Sequence, residues 1–441
     1  MKIERKNITE KLQQWKNSIN RKPLILQGAR QVGKTWILKE FGRANFESVA
    51  YFNFEAKPEL KQFFATTKDP QRIIENLSLV HGEKITADKT FIIFDEIQES
   101  NEALNSLKYF CEEAPQYYIA AAGSLLGVAM NRGNSFPVGK VDFLNLYPAS
   151  FSEFLSVCDR NLASYLEGLD NVEQIPDIFF NPLVEKFKMY LISGGLPEAI
   201  TSLLSEGGTN QCQITLQNTI NAYKLDFSKY VENRDIQKLN YIWDSLPSQL
   251  ARENKKFLYQ TVKPGARARD YEDALLWLIN SGLVHRIYRN EKPALPLSAY
   301  DDLSAFKVYS LDVGILRRMS NLDPGAIVEG NRLLTEFKGA LTENFVLQSL
   351  TSQFETQPRY WSSGNKAEVD FILQYNNQII PIEVKAGENV RSKSLAFYRM
   401  DYKPELSIRY SLKNLSFADG LLSMPLFLID YTEKFIRKIM Q

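Results

Sequence analysis

The stretch Leu24-Ile25-Leu26-Gln27-Gly28-Ala29-Arg30-Gln31-Val32-Gly33-Lys34-Thr35-Trp36 decides the fold. An apolar run leads into a loop spaced G-x-x-x-x-G-K-T, and WILKEFGR beyond it reads as a helix. Strand, glycine-rich loop and helix together form a cradle for phosphate. Glycines let the backbone wrap an anion, successive N–H groups point inward, and the helix adds the positive end of its dipole. Gly28, Ala29, Arg30, Gln31, Val32, Gly33, Lys34 and Thr35 are therefore candidate nucleotide-binding residues. Lys34 would reach the terminal phosphates of ATP, and Thr35 would supply a Mg ligand. The bland alternative is a turn that happens to carry an exposed lysine.

Outward from this loop, strands and helices alternate. Residues 9–20 read as an amphipathic helix, 48–55 as a strand, 70–80 as a helix and 100–113 as another. Thr90-Phe-Ile-Ile-Phe-Asp-Glu96 is a near-continuous apolar run ending in two acids, as expected of a buried parallel strand. Asp95 would hold the Mg, usually through water, and Glu96 would orient and polarise the attacking water. A surface acidic pair is the alternative. Tyr117 to Ser124 reads as a fourth strand. Ser124 at its end has two readings, a hydroxyl beside the γ-phosphate or a helix N-cap. Such alternation implies an α/β fold with a parallel sheet whose ligands sit at the carboxyl ends of the strands. The pattern breaks between Pro137 and Pro148.

Composition sets the limits. The chain has 441 residues, 44% of them hydrophobic, which excludes a mostly disordered chain and suggests about three domains. Lys plus Arg number 53 and Asp plus Glu 52, so the chain is no polybasic coat for nucleic acid. Three scattered cysteines fit a reducing compartment, and two histidines argue against a His-rich zinc site. The charged N-terminus is unlike a signal peptide, and the run Ile119–Met130 is too short to span a membrane, so a cytoplasmic protein is expected.

From Phe151 to Tyr230 the chain reads helical, interrupted by Gly194-Gly195-Leu196-Pro197. Arg252, Lys255, Lys256, Lys263, Arg267 and Arg269 crowd one segment against a single acid, Glu253; a helix and the strand Leu283–Tyr288 follow. This looks like a winged helix with a basic flank suited to DNA phosphates, although Asp270, Glu272 and Asp273 weaken that case. A lid that never touches DNA is the alternative. Trp243 and Trp277 read as core.

In the last third, Glu343 falls on a helix, Asp370 in one strand, and Glu383 and Lys385 in the next. Residues two apart on a strand share a face, so Glu383 and Lys385 project together, and a hairpin sets Asp370 beside them. Asp370 and Glu383 can share a divalent metal, Glu343 can approach from the helix, and Lys385 can steady negative charge on a phosphate. This resembles the PD-(D/E)xK nuclease fold. Three readings stand: cleavage, metal binding without cleavage, and a purely structural ion-pair cluster. Asp312 reads as an N-cap or an extra metal ligand.

The segments GARQVGKT, FIIFDE, AAGS and LYPASFSEF resemble those of prokaryotic AAA-type ATPases with a C-terminal domain of unknown function. The likeness continues through YLISGGLPEA, LDFSKY, KVYSLDVGILRRM, GALTENFV and YWSSGNKAEVDFIL, in the same order, over most of the chain. That resemblance implies ATP hydrolysis, Mg, a winged-helix middle and association with further copies of the chain. The family usually carries Gly-Arg before the LYPASF-like segment, its arginine a candidate for acting in trans. Here the residues are Gly139-Lys140, and lysine lacks the planar fork. The expected organisation is a P-loop ATPase core at 1–150, a helical lid at 151–235, a winged-helix-like module at 236–292 and a restriction-endonuclease-like α/β domain at 293–441. Two functions compete: an ATP-hydrolysing enzyme acting on nucleic acid, DNA for instance, through a Mg-dependent nuclease-like domain, and a nucleotide-dependent switch or scaffold whose tail domain only binds partners.

Overall fold

A computed structural model describes residues 2–124, 136–230, 233–252, 255–329, 335–364, 366–387 and 392–440. Glu253 and the end of the 119–130 apolar run lie outside the described residues. The chain divides into one unit of Arg5–Tyr147 with Asn280–Gly282, and another built mainly from Pro148–Ile279 and Leu283–Gln441.

In the first unit, β1 (Leu24–Gln27), β2 (Ser48–Asn53), β3 (Thr90–Asp95), β4 (Tyr118–Ala122) and β5 (Asp142–Asn145) form one sheet in the order β2-β3-β4-β1-β5. Every neighbouring pair is parallel. Parallel neighbours need crossovers, and the helices Lys34–Asn45, Pro70–His81 and Asn101–Glu113 provide them. All six residues of β3 are buried, as its unbroken apolar run requires. Phe54, Phe64 and Phe94 meet edge to face at 5.5–5.7 Å and anchor one side of the sheet. β5 falls where the sequence pattern breaks. It is a short edge strand, alternately half-buried and exposed, so it carries almost no periodic signal.

In the second unit, the region 151–230 is helical as read: Phe151–Cys158, Arg160–Glu167, Asp177–Ser193, Pro197–Leu203 and Gly208–Tyr230. Gly194 turns the chain at φ 65 and leaves space for the Asp312 carboxylate, 2.0 Å from where a Cβ would sit. Asp312 accepts hydrogen bonds from Gly195 N at 2.6 Å and from Ile315 N at 3.1 Å. Of its two readings it is thus the N-cap, of the helix Val313–Met319.

The remaining strands are β6 (Val284–Asn290), β7 (Asp301–Ser310), β8 (Arg359–Ser362), β9 (Glu368–Tyr375), β10 (Gln378–Val384), β11 (Ser407–Ser411), β12 (Ser416–Ala418) and β13 (Leu421–Pro425). They make one mixed sheet in the order β12-β13-β11-β10-β9-β8-β6-β7. β6, read as the strand of a winged-helix module, pairs antiparallel with β7 and parallel with β8. The expected boundary at 292/293 therefore falls inside a single sheet. β9 and β10 form an antiparallel hairpin closed by Asn376-Asn377, with Asn376 at φ 50 in the left-handed region that asparagine tolerates.

Candidate functional site

The first constellation gathers at the carboxyl ends of β1, β3 and β4. Gly28 leaves β1 at φ 150, and a Cβ there would lie 2.3 Å from the Leu146 carbonyl oxygen, so only glycine fits the strand exit. Lys34 opens the helix after the loop and is 7% exposed. Its Nζ donates to the carbonyls of Gly28 and Ala29, both at 2.8 Å, and to Ser124 Oγ at 3.1 Å. Burial pulls the ammonium down to about 8, against the opposing pull of Glu96 and Asp95. A cation held so uncomfortably gains from an anion. Residues 125–135 lie outside the described residues, so the two readings of Ser124 stay open, with the Lys34 contact added.

Asp95 ends β3 and is buried. Thr35 Oγ1 donates to its Oδ2 at 2.9 Å, and Tyr51 OH donates to the same atom at 2.7 Å. Adjacent ligands on an octahedral Mg, at 2.0–2.1 Å from the ion, stand about 3 Å apart. The Thr35–Asp95 spacing therefore suits one shared ion. Glu96 follows in left-handed backbone at φ 51 and accepts from Gln98 Nε2 at 2.5 Å. This conformation, uncommon for a non-glycine residue, turns Glu96 out of the strand next to Asp95. Tyr51, missed in the sequence, is pushed up to about 12 by burial and its bond to Asp95. Its signal was the alternation of Tyr51 and Asn53 along β2; Asn53 Nδ2 donates to the Tyr51 hydroxyl at 3.2 Å. Lys140 pairs with Glu112 at 2.8 Å on the same unit.

The second constellation lies in the mixed sheet and brings Glu343, Asp370, Glu383 and Lys385 together. Val384 N donates to Asp370 Oδ2 at 2.8 Å, which is the hairpin contact anticipated from the spacing. Lys385, just beyond β10, pairs with Glu383 Oε1 at 2.6 Å. The other oxygen of Glu383 is buried without a hydrogen-bond partner. Burial, with Glu343 and Glu383 nearby, drives the Asp370 carboxyl far above the ordinary carboxylate range. An orphaned carboxylate oxygen and a strained neighbouring acid are what a bound cation would relieve. Among the described residues, however, no group of three or more His, Cys, Asp or Glu side chains is arranged to hold a metal ion.

Two lysines that sequence reasoning left out complete this cluster. Lys307 on β7 is 1% exposed and donates to Glu368 Oε1 at 2.5 Å. Burial works against its charge, yet Glu368, Glu343 and Asp370 outweigh it and hold the ammonium above its usual range. β7 and β9 lie three places apart, so this ion pair reaches across the two strands between them. The available signal was a lone charge inside the apolar run Ala305-Phe-Lys-Val-Tyr-Ser310. Tyr309, on the same face, donates to Glu343 Oε2 at 3.4 Å. Lys255 is ion-paired with Glu343. This removes one charge from the basic segment read as a DNA flank, and Arg269 faces its neighbour Asp270 at 3.7 Å. Trp243 is fully buried and Trp277 partly so, both edge-on to Phe227.

Residues 20–155 match the family model described as an AAA domain. With the parallel sheet and the loop geometry, this match supports an AAA-type P-loop ATPase fold for the first unit. Two further models match, both described as domains of unknown function: DUF8612 over 184–326 and DUF4143 over 338–428. No curated protein matches the chain. Solved structures similar to it include the Walker-type ATPase of Pyrococcus abyssi, at 16% identity and TM-score 0.46, over 72% of this chain and 96% of that one. The Holliday junction branch migration motor RuvB of Thermotoga maritima follows at 13% and 0.30, over 66% and 90%. The ORC2 protein of Aeropyrum pernix, in an ADP form, stands at 14% and 0.33, over 75% and 94%. Among the described residues no helix is long and apolar enough to cross a membrane.

Proposed function

We propose that the chain hydrolyses ATP at the loop 28–35 and uses the nucleotide state to control a nucleic-acid-cleaving tail domain. The observation that carries the first half is Lys34, buried among loop carbonyls and Ser124 with Thr35 and Asp95 in contact. In this reading Lys34 draws the terminal phosphates, Thr35 and Asp95 hold Mg, and Glu96 positions water for attack. The Mg supplies charge neutralisation on the phosphates. In the tail, Asp370 and Glu383 hold a second divalent ion, Glu343 completes the acidic set and Lys385 steadies phosphate charge. DNA and further copies of the chain are the partners it expects, in the cytoplasm.

The second reading, a switch whose tail binds without cutting, is favoured by one observation: two of the three acids are already ion-paired, Glu343 with Lys255 and Glu383 with Lys385. Plasmid and single-stranded DNA incubated with Mg or Mn separates the two. The nuclease reading expects cleavage by wild type and none by Asp370→Ala or Lys385→Ala. Intact substrates throughout, or equal cutting by the variants, would leave the switch. For the ATPase half, Glu96→Gln should bind ATP without turning it over.

A further inference from the structure

The three lysines around the acidic cluster are not equivalent. Lys307 belongs to β7, and Lys385 directly continues β10. Both are built into the sheet framework. Lys255 instead lies between the helices Asn233–Leu250 and Tyr259–Val262, in no regular element. Its backbone sits at φ 48, a left-handed conformation that costs a non-glycine residue energy and persists only where contacts impose it. Its side chain makes the ion pair with Glu343, whose side chain is 8% exposed while that of Lys255 is 14% exposed. Glu343, Asp370 and Glu383 otherwise form a set with one orphaned oxygen, on Glu383.

We propose that Lys255 is a tethered cation that occupies the Glu343 side of the acidic cluster and competes with a divalent metal ion for it. The inference rests on the metal-binding reading of Asp370 and Glu383 given above. One positive charge on a flexible stem offers Glu343 what a metal would offer, at lower charge and without reaching the unpaired Glu383 oxygen. A divalent ion would satisfy both acids at once. Lys255 then has to leave. Lys307 stays, because it is buried in the sheet and paired with Glu368.

The test is Mn2+ binding to the full chain without nucleotide, by calorimetry and by the loss of the free-ion paramagnetic resonance signal. The proteins compared are wild type, Asp370→Ala, Lys255→Met and Lys255→Met with Asp370→Ala. Methionine keeps the apolar stem and removes the charge. Lys255→Met should bind one Mn2+ at least about tenfold more tightly than wild type, and Asp370→Ala should abolish that gain. Thermal melting with and without Mn2+ gives an independent readout: the ion should raise the melting temperature of Lys255→Met more than that of wild type. Equal or weaker affinity in Lys255→Met, with Asp370-dependent binding in wild type, would overturn the competition and leave the metal site standing. Binding that is indifferent to Asp370→Ala in every protein would overturn both this inference and the metal-dependent tail.

Discussion

Raising the pH should loosen the grip on ATP through a single proton on Lys34. Burial holds this ammonium at about 8 in the nucleotide-free protein, with Asp95, Glu96 and Arg30 the charged groups that face it. A polyphosphate seated in the loop favours the charged form and should return Lys34 to its ordinary range near 10.5. That difference corresponds to roughly 3 kcal/mol. The direction follows from linkage. Below pH 8 Lys34 is already charged and binding takes up few protons. Above it the free protein has lost the proton and must regain it to bind. Affinity should therefore fall about 30-fold between pH 7 and pH 9.5, with about half a proton taken up at pH 8 and nearly a whole one at pH 9. The terminal phosphate is fully ionised across the upper part of this range, so it adds little to the trend. Calorimetric titration in buffers of different ionisation enthalpy reads both affinity and proton uptake. Arginine does not deprotonate, so Lys34→Arg should bind more weakly overall but without the pH dependence. Affinity flat from pH 8 to 9.5 in wild type, or an identical slope in Lys34→Arg, would refute the reasoning.

Two further outcomes test the second unit. Lys307→Met should cost roughly 3 kcal/mol of stability in urea unfolding, because buried acids lose their compensating charge, and the cost should shrink by at least about 1 kcal/mol in a Glu368→Gln background; equal costs in both backgrounds would deny the coupling. Gly194→Ala should lose at least about 2 kcal/mol, since its Cβ meets the Asp312 carboxylate in left-handed backbone; an unchanged melting temperature would contradict that account of the turn.

What could be read in advance depended on how locally each feature is encoded. The phosphate loop, β3 and its two terminal acids announce themselves because strand, loop and helix are contiguous, and the burial of β3 shows as an unbroken apolar run. The Asp370, Glu383 and Lys385 grouping was legible for a similar reason: a hairpin fixes the partners of its own strands. β5 was not, since four residues on a sheet edge leave no periodicity. Lys255 and Lys307 were not, because their partners lie 88 and 61 residues away and are met only in the folded chain. The pairing of β6 with β8 is non-local in the same way, and no run of residues around β6 announces it. Tyr51 lay between these cases. Its strand was plain, but its role depends on β3 standing next to β2.

The account depends most on the claim that the loop 28–35 is where nucleotide is held. Equilibrium titration of a fluorescent ATP analogue into wild type and Lys34→Ala, both shown by circular dichroism to be folded, measures this directly. One saturable site in wild type, weakened about a hundredfold or more in Lys34→Ala, is the expected result. Indistinguishable binding curves for the two proteins would contradict it.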